Sequence, residues 1–584
     1  MTRSGTGATA PKRVRDSRIV RARLLIRRIE RVVDLNYVGL VVAGLFFAWS
    51  VTPSLLPRDW MFQGLISGIN AAMGYGAGCV LEWLFRKFAV PRIQISQPPD
   101  WVTSTVKIAV LLTVVGGAGY MLILAAQWQR QLTTLMDMAG TSTSAYLRTG
   151  GLSLLVAAAV VAVFRSLRAL VRWVARQLNR WVRIPRTLAP AVGIFLIAFL
   201  TVTLFNGVLA KALFAVANSA FSVRNDQTSP AAIQPTLPER SGSPASLVPW
   251  KTLGSEGRWF VSQGLDANTI GLVTGRVSEE PIRVYTGLES ADSPEAQADL
   301  AVSELDRTGA FDRSVLVVVT TTGTGWVNST AANAIEMMYH GDTAIVATQY
   351  SYLPSVLSFL ADSTKVAEAG KLLFDKVYER LSARPMNERP KLLVYGESLG
   401  SQGSESAFDG IADIRAKVDG ALWVGPPNSN RIWRQFVSRR DPGSPEVEPV
   451  YADGLVVRFA GDSGDLAQPP RAWLAPRIAY LQHPSDPIVW WSPDLLFSRP
   501  DWLEETRGDD VSPEMTWRPV VTFWQVAADL TNATSVRTGH GHRYGTLVLD
   551  AWAALLPPPG WTAQDSERIR PVLDALDDYE REAK

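Results

Sequence analysis

The apolar residues of this 584-residue chain are segregated rather than spread along it. Five apolar runs, near 36–54, 62–85, 106–127, 147–164 and 188–209, occupy its first part, and beyond about residue 217 the pattern changes to the alternation of a soluble protein. A helix needs about 20 apolar residues to cross a hydrocarbon layer about 30 Å thick, and backbone polar groups at that depth have to be satisfied within the chain. The runs therefore predict a helical transmembrane region of about five spans. The fourth is short and interrupted by Gly150 and Gly151. Length alone asks for two or three domains. The divisions expected are a basic segment over 1–33, a transmembrane helical domain over 34–216, a Ser/Pro/Gly-rich linker over 217–250 and a soluble domain over 251–584.

Charge assigns sides to this arrangement. Arginines and lysines crowd the segment before the first run (Lys12 to Arg31), the stretch Arg86–Arg92 and the stretch Arg165–Arg186. The alternate loops carry only Arg58, Arg130 and Arg148. Basic loops stay in the cytoplasm. The N-terminus is thus expected in the cytoplasm of a bacterial cell with the inner membrane crossed several times, and five crossings carry the soluble half to the extracytoplasmic side. The first run follows a long basic segment and precedes further spans, so a cleaved signal peptide is not expected. Basic residues lying beside apolar runs imply a lipid bilayer as partner rather than nucleic acid. Spacing of three to four residues from Arg165 to Arg183 predicts an amphipathic helix at the interface. Gly64-x-x-x-Gly68 and Gly74-x-x-x-Gly78 predict close helix packing. A single cysteine, Cys79, excludes disulfides within the chain and thiolate metal clusters.

The soluble half reads as strands alternating with helices. Ser314–Thr320, Thr343–Thr348, Lys391–Tyr395, Ala421–Val424, Ile478–Leu481 and a short Thr534–Val536 are expected strands. Helical spacing recurs over Ser363–Ala383, from about Gly400 to Ile411, and from about Thr546. Such alternation predicts a doubly wound, mostly parallel sheet, with ligand chemistry at the carboxyl ends of its strands.

Directly after the apolar run Lys391–Tyr395 comes Gly396-Glu397-Ser398-Leu399-Gly400. A G-x-S-x-G between strand and helix is the nucleophile elbow of α/β-hydrolases, a cramped turn that presents its serine to a substrate carbonyl. Ser398 then needs a base, and histidine is the side chain suited to accept and return a proton near neutral pH. Of the four histidines, His340 precedes the serine and His483 directly precedes the best acid. The chain order Ser, Asp or Glu, His points to the loop Thr538–Gly545, with His542 favoured and His540 as runner-up. Asp486, in the loop after Ile478–Leu481, is the expected acid, ahead of Asp462, Asp465 and Asp494. Oxyanion donors are expected from the amide of Leu399 and from Gly323 or Thr324 in the glycine-rich loop after Ser314–Thr320. That loop lacks the Gly-Lys-Ser/Thr of a phosphate-binding loop. No cofactor and no metal are called for. Trp326, Trp490 and Trp491 are candidates for lining an acyl pocket.

The sequence resembles bacterial membrane-embedded α/β-hydrolases, formerly a domain of unknown function and familiar from actinobacteria. The likeness rests on Thr52–Arg58, Thr322–Trp326, Gln349–Ser355, Gly396–Gly400, His483–Asp494 and Gly539–His542. The resemblance implies a helical membrane domain joined to a hydrolase domain, with Ser398, Asp486 and a histidine of Gly539–His542 as triad, and implies no substrate. Residues and resemblance together predict a membrane-anchored serine hydrolase acting on an extracytoplasmic ester, a lipid or cell-envelope component. The alternatives are an acyltransferase using the same acyl-enzyme and a non-catalytic membrane assembly module that retains the fold.

Overall fold

The computed structural model describes residues 35–89, 99–139, 145–181, 210–355, 358 and 364–583. They form two compact units, one of 1–52, 59–127 and 142–167, the other of 53–58, 128–141 and 168–584.

Helices dominate the first unit. Three are long and apolar enough to cross a membrane, over Trp60–Ala89, Trp101–Leu135 and Ala145–Val174, which is compatible with a membrane protein. Many of their large apolar side chains, among them Leu112, Val115, Ile123, Leu154 and Phe164, point outward from the chain. The first expected span is a 14-residue helix, Tyr37–Ser50. At 1.5 Å per residue it covers about 21 Å, short of a full crossing. Pro53 limits it, because the residue before a proline is pushed out of helical geometry. The fourth run is longer than expected: Ala145–Trp181 is one continuous 37-residue helix, and the amphipathic stretch expected from Arg165 forms, as far as Trp181, its second half rather than a separate element. From Leu152 to Trp181 the chain contains neither glycine nor proline, so nothing breaks it. The expected fifth span at 188–209 lies outside the described residues. Both glycine pairs are used. A Cβ on Gly78 would sit 2.6 Å from the Cα of Gly39, and one on Gly68 would sit 2.7 Å from the carbonyl oxygen of Ser153.

The second unit is built on a seven-stranded sheet in which every pairing is parallel. Its strands are β1 Ile282–Thr286, β2 Val315–Thr320, β3 Thr343–Thr348, β4 Lys391–Glu397, β5 Gly420–Val424, β6 Val457–Ala460 and β7 Arg477–Leu481, in the order β1-β3-β2-β4-β5-β7-β6. Runs such as Val315–Thr320 are buried at every position, as parallel strands covered on both faces require. Two strands had no sequence signal. Arg283 interrupts β1, yet it is fully buried, with Nε on Glu336 at 2.7 Å and Nη2 on Asn333 at 2.6 Å. Arg458 likewise breaks the apolar run of the four-residue β6. Thr534–Val536 forms turns, not a strand.

The stretch 217–250 is not a loose linker. It begins within a helix, Ala210–Asp226, and continues along β1, where Ser241 N donates to Arg283 O at 3.0 Å and Arg283 N to Glu239 O at 3.1 Å. Its polar composition hides this because the backbone supplies the pairing.

Candidate active site

The carboxyl ends of β2, β4, β5 and β7 are adjacent in register, Gly396 of β4 lying opposite Thr320 of β2 and Trp423 of β5. Ser398 and Leu399 follow the end of β4, Gly323 and Thr324 that of β2 and Asp486 that of β7, whereas His540 and His542 lie in a loop after the helix Val521–Asp529. Ser398 follows β4 at φ 53° and ψ −129°, a left-handed conformation that costs a non-glycine residue of order 1–3 kcal/mol and persists only where its surroundings impose it. Its amide donates to Val424 O at 2.8 Å, and its carbonyl accepts from Ser401 N at 2.9 Å. The flanking glycines permit the turn. A Cβ on Gly396 would lie 2.4 Å from Gly400 O, and one on Gly400 would lie 2.3 Å from Thr320 O. The serine side retains 7% exposure.

Asp486 ends the loop after β7 and is fully buried. Its oxygens divide two tasks. Oδ1 accepts from Ile488 N at 2.9 Å, capping the short helix Pro487–Trp490. Oδ2 accepts from His542 Nδ1 at 2.6 Å and from Tyr544 Oη at 2.7 Å. Burial pushes the Asp486 carboxyl up, but His542, Tyr544 and the Ile488 amide outweigh it, and the group is held below the usual carboxylate range. An ionised carboxylate only accepts, so Nδ1 carries the ring proton and Nε2 keeps a lone pair when the imidazole is neutral. For His542 burial acts to lower the pKa; the charges of Asp486 and Glu397 prevail and raise it above the ordinary value.

Gly425, the first residue after β5, connects the two halves of the site. Its neighbour Val424 binds the serine amide, and a Cβ on Gly425 would lie 2.2 Å from His542 Cε1 and 3.1 Å from Asp486 Oδ2. Only a glycine leaves room for the imidazole beside the elbow.

His540 is not brought to this acid. Its Nδ1 bonds Asp510 Oδ2 at 3.1 Å, and its ring is more exposed. Asp510 is also held by Ser485 Oγ, which accepts from Gly541 N at 2.8 Å. His483 is buried, donates from Nδ1 to Gly541 O at 2.8 Å and stacks on Tyr544 with centroids 4.2 Å apart. Both histidines brace the loop that carries His542.

Of the expected oxyanion donors, Leu399 opens the helix Leu399–Glu405, where an amide has no acceptor within its own helix. Gly323 N donates to Ser355 Oγ at 3.3 Å. The peptide after it is tethered, Thr324 O by Gln349 Nε2 at 2.9 Å and Gly325 O by Tyr285 Oη at 2.8 Å. The tryptophans do not gather into a pocket. Trp490 is core, with Nε1 on His483 O at 3.0 Å, Trp326 reaches Glu580 at 3.1 Å, and Trp491 packs against Phe523. Among the described residues no group of His, Cys, Asp and Glu is arranged to hold a metal.

Family models match nearly the whole of this architecture: an α/β-hydrolase family over residues 282–569, and the N-terminus of an α/β-hydrolase family over 51–264. The chain belongs to this α/β-hydrolase family. No curated protein and no solved structure matches it. The second match includes 53–58 as well as the long apolar helices.

Two residues of this family member escaped the sequence. Tyr544 shares Asp486 Oδ2 with the imidazole, and its position two residues beyond His542 was the available clue. Glu397, inside the elbow motif itself, is a buried carboxyl bonded to Asn328 Nδ2 and Tyr395 Oη, both at 2.7 Å, and burial raises its pKa. Sequence position alone did not assign either a contact, since each is placed by the fold around Asp486 and Ser398.

Proposed function

We propose that this chain is a membrane-anchored serine hydrolase that cleaves an ester, a lipid or envelope component, on the extracytoplasmic side. The observation that carries the proposal is the buried His542–Asp486 pair, 2.6 Å across, beside a strained serine at the carboxyl edge of the sheet. Nε2 of His542 takes the proton of Ser398 Oγ as that oxygen attacks the ester carbonyl. The alkoxide that forms is met by the Leu399 amide and by Gly323 or Thr324, a donor typically contributing about 3–4 kcal/mol. Collapse expels the alcohol, which leaves with the proton from His542. Water, deprotonated by the same ring, then attacks the acyl-serine, releases the carboxylic acid and restores Ser398.

Contacts within the second unit support the orientation. Residues 53–58 and 128–141, flanking the long apolar helices, bond to the sheet unit: Arg58 to Asp529 at 2.7 Å, and Arg537 to Asp137 O at 3.2 Å. These are the loops poor in basic residues. Segments bonded to one another lie on one side of a bilayer, and the positive-inside rule puts the sparsely charged side outside. With Cys79 replaced, a cysteine at the fully solvent-facing Val277 reacts with an impermeant thiol reagent in intact cells; protection puts the unit in the cytoplasm.

Chemistry is tested by labelling the full-length protein with a fluorophosphonate, which is expected to react and to lose that reaction in Ser398→Ala. A correctly folded protein that never labels would favour the non-catalytic assembly module. Release of free acid from acyl esters of graded length, with and without an alcohol acceptor, separates hydrolysis from acyl transfer.

A further inference from the structure

The loop Pro53–Arg58, between helices Tyr37–Ser50 and Trp60–Leu84 in sequence, is part of the hydrolase unit and is built into its base-bearing loop. Asp529 ends the helix Val521–Asp529 and is fully buried. Its carboxylate accepts from Ser54 Oγ at 2.5 Å, Leu55 N at 3.1 Å and Arg58 Nε at 2.7 Å, and Arg58 Nη2 donates to Gln525 O at 3.0 Å. Three residues on, Asn532 Nδ2 donates to Pro57 O at 2.9 Å. Ala533 O then accepts the amide of His542 at 2.9 Å. Leu55 and Leu56 are wholly buried in the same core cluster as Val526 and Val536. Leu56 Cδ2 lies 3.3 Å from where a Cβ on Gly541 would be, so its methyl group abuts the residue before His542.

We infer that Leu56 and Arg58 are positioning residues for His542, and that the loop Pro53–Arg58 sets where the imidazole stands relative to Asp486 and Ser398. This rests on the triad proposed above. A buried arginine and carboxylate are costly to desolvate and give little net stability compared with apolar residues of similar volume, whereas removing one partner is strongly unfavourable. What such a pair does provide is directional attachment. Here it joins a segment more than 470 positions away in sequence to the helix end from which the His542 loop departs. Leu56 closes the remaining gap by packing. Misplacing a base by about 1 Å can cost about a hundredfold in rate.

The test uses the full-length protein in detergent or vesicles, with the esterase substrate p-nitrophenyl butyrate and a fluorophosphonate to count active serines. Leu56→Ala and Arg58→Met are expected to lower kcat per titrated serine by about tenfold to a hundredfold while KM changes less than about twofold. The acid limb of kcat/KM is expected to fall toward about 6.5, the ordinary imidazole value, as the ring loosens from Asp486. Arg58→Lys, which keeps a cation against Asp529, recovers part of the rate. A loss of folded protein alone lowers the number of titrated serines and leaves kcat per serine and the limb unmoved, and that result in Leu56→Ala overturns the inference. Should Arg58→Met fail to fold, Leu56→Ala still decides. A wild-type protein that never labels overturns the triad, and the positioning role with it; a labelling wild type with indistinguishable variants overturns the positioning role alone.

Discussion

Two histidines two residues apart in one loop each meet an aspartate, and the difference between the pairs shows which of them fits the proposed reaction. His542 meets Asp486 at 2.6 Å with the acid wholly buried, in the loop after β7. His540 meets Asp510 at 3.1 Å, with its ring partly open to solvent. A buried pair holds its geometry and shifts the pKa of its members, as it does for Asp486 and His542. The first pair is accordingly coupled to Glu397 and Tyr544. The second ties down the loop through Ser485 and Gly541. On the proposed reading, the same residue types serve chemistry in one place and scaffolding in the other.

Substitution can break this contrast. The largest effect is expected from His542→Ala, with kcat falling on the order of a million-fold, as for removal of a triad base elsewhere, measured as acid released per folded protein. Equal losses in His540→Ala would erase the distinction. Asp486→Asn is expected to cost about ten-thousand-fold, because an amide no longer dictates the tautomer. The pH profile gives its sign. His542 acts as a base only when neutral, and its raised pKa places the acid limb of kcat/KM above about 6.5 in the native protein. Without the Asp486 charge, burial dominates and the limb moves to lower pH; a limb that stays in place excludes His542 as the titrating group. Gly425→Ala is expected to cost about a hundredfold, since the methyl group would occupy the imidazole's space. Tyr544→Phe removes one hydrogen bond to a charged acceptor and should cost about tenfold. The smallest effect belongs to His540→Ala, within about threefold, as for a partly exposed residue off the reaction path.

Much of the second unit was legible because its signals are local. The buried strands β2, β3, β4, β5 and β7 are continuous apolar runs, and the elbow is a five-residue pattern whose glycines answer to contacts within the same turn. β1 and β6 were missed for the opposite reason: an arginine that looks polar in sequence is core in space, Arg283 satisfied by Glu336 and Asn333 from another part of the chain and Arg458 by the carbonyls of Gly454, Leu466 and Arg471. The expected strand Thr534–Val536 failed because three residues before a histidine loop carry too little pattern to separate turn from strand. Among the membrane elements, both Gly-x-x-x-Gly pairs marked true close approaches, but composition did not reveal that Ala145–Trp181 is one unbroken helix.

Chain order and residue type were enough to single out Ser398, Asp486 and a histidine near 540 as candidates, because the elbow, a late strand and the last loop follow one another along such a fold. Sequence ranked His542 ahead of His540 without a contact to distinguish them, and folding gave the two rings different acids, Asp486 and Asp510, since alternate residues of a turn point in unrelated directions until something packs against them. Part of what packs there is Leu56, brought from the N-terminal region to the other end of the chain by buried contacts that leave no trace in local spacing.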